Sequence, residues 1–176
     1  MDFTILLLWV HLAAIVTWVG LWFNTVLAFG PLRKYLAESA RPDFIEDYRR
    51  RYTIITWAAM AVFIVTGSIL MLTDENYPGL GQFFESDWAT LIFAKHIVII
   101  LMITLSLTLL YGILPRLRAA LVAGDKPAAE RLLKRERFAV VSLALLGLVV
   151  LFIIITVMEM HTDEAAARFT LGSSVL

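Results

Sequence analysis

Cysteine is absent from this chain, so disulfides, thiolate metal sites and redox dithiols are all excluded. Charge is scarce: 17% of the 176 residues are ionised at neutral pH and 60% are apolar, which excludes an ordinary water-soluble domain. The stretch 74–87 contains no lysine or arginine at all. Histidine occurs only three times, so each one is informative. No internal repeat or low-complexity tract is present.

What is there is four long apolar runs, about 3–30, 52–73, 88–114 and 138–160. Each reaches the roughly 20 residues that a bilayer-spanning helix needs. The fold class expected is all-α: a polytopic membrane protein with an antiparallel bundle of four transmembrane helices over 1–161 and a short tail at 162–176. The loops are too short for a separate soluble domain, so any chemistry sits inside the bundle or at its rims. The first run follows Asp2 without a basic leader segment, which predicts a retained helix.

The net charge is zero but unevenly spread. Arg33, Lys34, Arg41, Arg49, Arg50 and Arg51 crowd the first connection. The third carries Arg116, Arg118, Lys126, Arg131, Lys134, Arg135 and Arg137. The positive-inside rule makes both connections cytoplasmic, with both termini and the acidic loop on the outer side of a bacterial-type inner membrane. Topology and contact with lipid phosphates account for these charges, so no nucleic-acid partner is implied. Pro31 and Pro115 are expected to stop the first and third helices. Arg41-Pro42 marks a break, and Gly124-Asp125 is the turn of an amphipathic helix-turn-helix at the membrane surface.

Counting residues from the outer ends at 1.5 Å each puts His11 and His96 at roughly the same depth, about 12 Å into the outer leaflet. Gly67 of the second helix lies at a similar level. Two histidines on separate helices suit axial ligation of one b-type haem, and a glycine lets the macrocycle approach the backbone. Lys95 beside His96 needs an anion, for which a propionate or Glu159 would serve. The competing reading of each histidine alone is an interhelical hydrogen bond. Met158, Met160 and His161 at the outer end of the fourth helix offer thioether and imidazole donors to copper(I). Trp18 shares a face with His11 and is a packing or cofactor-lining residue. Asn24 is an interhelical hydrogen-bonding group.

The string His11-x6-Trp18-x-Gly20-x2-Phe23, then Pro31-Leu-Arg33, Thr66-Gly67, Lys95 and Pro115-Arg116, resembles the copper-resistance D membrane domain. It is also similar to the HemJ-type protoporphyrinogen oxidases, although their Asn-Glu-Pro signature at the start of helix 4 is missing. The resemblance spans about residues 5–160. It implies a functional or haem-ligating His11, a helix signature at Trp18 and Gly20, and an essential Lys95. The function expected first is a haem b electron-transfer protein working with a quinone, a porphyrinogen or another redox partner. Copper import is the alternative. A structural subunit in a homo-oligomer or larger respiratory complex is the third possibility.

Overall fold

The computed structural model describes residues 3–74, 84 and 87–173, with only the backbone described for 87 and 160–173. Four spans run alternately up and down. The first is α1 (Phe3–Asn24), a π turn (Thr25–Phe29) and α2 (Gly30–Leu32). The second is α3 (Arg41–Leu72). The third joins α4 (Asp87–Leu107), a second π turn (Thr108–Ile113) and α5 (Leu114–Val122). The fourth is the single long α6 (Lys126–Ser173). All four contain stretches long and apolar enough to cross a membrane, and no strand occurs among the described residues.

The prolines do not stop the helices as their chemistry suggested. Proline lacks an N–H and its ring collides with the carbonyl four residues back, which ordinarily breaks the ladder. Here each proline follows a widened turn: the Gly30 N–H reaches the Thr25 carbonyl before Pro31, and the Leu114 N–H reaches the Leu109 carbonyl before Pro115. The wider pitch makes room for the ring, and the chain stays helical to Tyr35 and to Val122. A side chain at Gly30 would come within 3.3 Å of the Thr25 carbonyl, so the residue preceding Pro31 is held small.

The basic end is therefore longer than the sequence implied. Leu36 and Ala37 turn extended and α3 starts at Arg41, with the break where Arg41-Pro42 placed it. Gly124 adopts φ +68°, and the Asp125 carboxylate accepts the Ala128 N–H at 3.0 Å, capping α6. The helix-turn-helix exists, but it does not lie flat on a surface. Segment α5 packs on α3 and α6, with Leu117 and Ala129 buried, so it continues the bundle.

Large side chains fill the centre: Trp18, Trp22, Met102, Leu109, Leu110 and Leu143 are essentially inaccessible. Outward faces are equally apolar; Trp9, Leu27, Phe152 and Ile155 are all at least 65% exposed. A helix that is apolar all round belongs in lipid, which is the solvent these residues require. At the crossing of α1 and α6, Gly147 sits against Val19 so closely that a Cβ would lie 2.6 Å from the valine Cγ1. Val19 is stiff at χ1 and buried, so it cannot swing away. Gly147→Ala is accordingly expected to cost about 1–3 kcal/mol through overpacking, read as a lowered unfolding midpoint in detergent.

Toward the basic end, polar contacts pin the first π turn to α3. Asn24 donates to the Tyr52 hydroxyl at 3.2 Å, in the interhelical role expected of it. Thr25 gives its proton to the Leu21 carbonyl at 2.9 Å, so the Tyr48 hydroxyl, 3.1 Å away, donates to Thr25. Phe29 and Tyr52 flank Tyr48, with ring centroids 5.5 and 4.1 Å from its own.

Candidate functional site

The acidic half of the bundle holds the polar group that defines the site. His11 of α1 leans on α3 at Thr66-Gly67. Its Nδ1 is 2.9 Å from the Thr66 Oγ1. Thr66 has one hydroxyl proton and spends it on the Val62 carbonyl at 2.7 Å. The Thr66 oxygen must then accept from His11, which assigns the imidazole proton to Nδ1 through the hydrogen-bond network. Neutral His11 is left with its lone pair on Nε2. Gly67 supplies the space for the ring: a Cβ there would stand 2.7 Å from the His11 Cε1.

Lys95 of α4 is partly buried in the same half of the bundle. Asp74, just beyond the end of α3, is one carboxylate whose charge favours the Lys95 ammonium. Glu159, the partner the sequence suggested, is exposed on α6. The contact that defines the group is therefore His11 with Thr66 and Gly67, with Asp74 and Lys95 in the same half of the bundle.

His96 does not join it. One residue along a helix is about 100° of rotation, so Lys95 and His96 cannot both face His11. The lysine faces inward and His96 is exposed, with its Nδ1–H donated to the Ile92 carbonyl of its own helix at 2.6 Å. The structure brings His11 together with Thr66 and Gly67 and does not bring His96 to it. Trp18 is fully buried and stacked on Phe63 at 5.2 Å, and the void beside that pair is only about 10 Å³. Trp18 packs the core in this structure.

The expected copper set at the end of α6 is placed only in part. Met158 is 52% exposed, whereas the side chains of Met160 and His161 lie outside the described residues. Among the described residues no three His, Asp or Glu side chains converge as a metal cluster. Two participants were missed in the sequence. Thr66 enters the sequence reading only beside Gly67, yet a threonine next to a glycine that faces a histidine is also a hydrogen-bond partner. Asp74 was counted as loop acidity, although its place directly after the helix end put it near the level of Lys95.

These features define a multi-pass membrane protein: an all-α four-helix bundle with a histidine-centred polar site within its apolar interior. Residues 46–158 match the CopD family, copper resistance protein D, and the chain belongs to that family. Thr66, Gly67, Asp74 and Lys95 lie inside the matched region, and His11 precedes it. No curated protein and no solved structure matches the chain.

Proposed function

We propose that this protein handles copper as cargo, with His11 as the resident donor for copper(I) at the acidic end of the bundle. Family membership supports the metal, and the His11 seat carries the site. A neutral imidazole with a fixed tautomer and a free Nε2 lone pair is the form a metal requires, and the Thr66 bond supplies the outer-shell support that orients it. Without cysteine, a soft monovalent ion can be met only by imidazole and thioether. Met71 lies one helical turn beyond Gly67, on the same face of α3. Met158, exposed near the same end, gives an arriving ion an earlier thioether contact. Asp74, at the same end, offsets the charge of Lys95. The positive-inside rule puts this end, and both termini, on the outer face of a bacterial-type inner membrane.

The test is copper(I) competition against a chelator, using the purified full chain. His11→Ala is expected to abolish tight binding. Thr66→Val, which removes only the outer-shell partner, is expected to weaken binding about tenfold. A copper-free preparation showing a reducible b-type haem band would overturn this reading in favour of electron transfer. If His11→Ala binds copper as tightly as the parent, the ion is held elsewhere.

A further inference from the structure

The opposite end of the bundle contains a cavity. It measures about 490 Å³ and lies where α2 and the start of α3 meet α5 and α6. Its charged lining is Arg33, Lys34, Arg41, Lys134 and Arg137, with Glu136 as the one carboxylate among the lining residues. Glu136 is already engaged: it is 2% exposed and accepts from Arg33 at 2.8 Å. Lys34, Arg41, Lys134 and Arg137 have no carboxylate partner among the described residues. The Arg41 Nε is buried without any hydrogen-bond partner.

A buried guanidinium donor left unmet costs free energy that an incoming acceptor would recover. Several cations around a volume of this size suit a phosphate group, which arginine can grip through two parallel N–H groups. The remaining wall is apolar and includes Val26, Ile45, Val140 and Val141. Val26 and Val141 are also exposed on the outward face, at 36% and 38%, so the cavity is continuous with the lipid-facing surface. A free anion has no use for that side opening, whereas an amphiphile does.

We infer that this cavity binds the phosphate headgroup of an anionic phospholipid, whose acyl chain leaves over Val26 and Val141 into the bilayer. Basic pockets between membrane helices are suited to such headgroups. The site is separate from the His11 group, and the inference does not depend on copper handling.

The test reconstitutes the full chain in mixed phosphatidylglycerol and phosphatidylcholine vesicles, re-extracts it in mild detergent and measures the lipid that remains bound. Phosphatidylglycerol is expected to be enriched in the parent. Arg41→Gln combined with Lys134→Gln should reduce the enrichment about tenfold. Arg50→Gln with Arg51→Gln removes the same charge outside the cavity and should leave it unchanged. Val141→Trp, on an exposed face, keeps every charge but obstructs the side opening, and should also lose the lipid. Equal losses from both charge pairs would reduce the effect to general surface attraction and overturn the site. Displacement by excess inorganic phosphate would assign the cavity to a free anion and overturn the lipid.

Discussion

Arg33→Gln is expected to destabilise the bundle by about 3 kcal/mol, the largest stability loss anticipated from a single substitution here. Arg33 closes the first span and Glu136 opens the fourth; they are 103 residues apart and joined at 2.8 Å. Their exposure is unequal, 19% for the arginine side chain and 3% for the glutamate. Removing Arg33 therefore strands a buried carboxylate, which is the costly way to break such a pair. Lys134 and Arg137 line the same cavity and relieve part of the charge, which keeps the expected cost at the low end of the range for buried pairs. Glu136→Gln should cost less, because Arg33 is the more exposed partner and its long stem lets the head reach water. The double variant, with neither charge, should recover much of the loss. Unfolding midpoints of the four proteins in detergent measure this cycle. A double variant as unstable as Arg33→Gln would show that the stranded charge is not the cause.

The spans, the level of His11, Gly67 and Lys95, and the two turns at the basic end were legible because each rests on a one-dimensional property. Hydropathy counts residues across a bilayer, and 1.5 Å per residue converts sequence to depth. Rotation was the quantity that failed. Depth places Lys95 and His96 together, but only packing decides which of them turns inward, and the choice between them separates a polar group around His11 from a bis-histidine clamp. A lysine can be partly buried on its four methylenes, whereas an exposed imidazole satisfies its N–H on its own backbone. The π turns were hidden for a related reason. The sequence shows a proline and its cost, while the compensating turn one step earlier is a backbone adjustment without a residue-type signature. The Arg33–Glu136 pair is invisible in the sequence because nothing local in either charged segment marks a partner 103 residues away.

Gly67→Ala is expected to cost little stability and nearly all of the copper affinity, with the opposite pattern to Gly147→Ala. At Gly147 the obstacle is a buried, β-branched Val19, so the added methyl strains the crossing itself. At Gly67 the obstacle is the tip of a partly buried imidazole, with Cε1 at 2.7 Å, Nδ1 at 3.4 Å and Nε2 at 3.7 Å from the new methyl. That ring can rotate away. Doing so forfeits the Thr66 hydrogen bond, a net loss of about 1 kcal/mol. Replacing glycine by alanine within a helix returns a similar amount. The unfolding midpoint should therefore stay close to that of the parent, or exceed it. The displaced imidazole, however, loses both its fixed tautomer and its seat against Thr66, so copper(I) binding should fall to the level of His11→Ala. Gly147→Ala should melt earlier and, below its transition, bind copper as the parent does. A Gly67→Ala protein that keeps parental copper affinity would show that the ion does not depend on His11 in its Thr66-bound position.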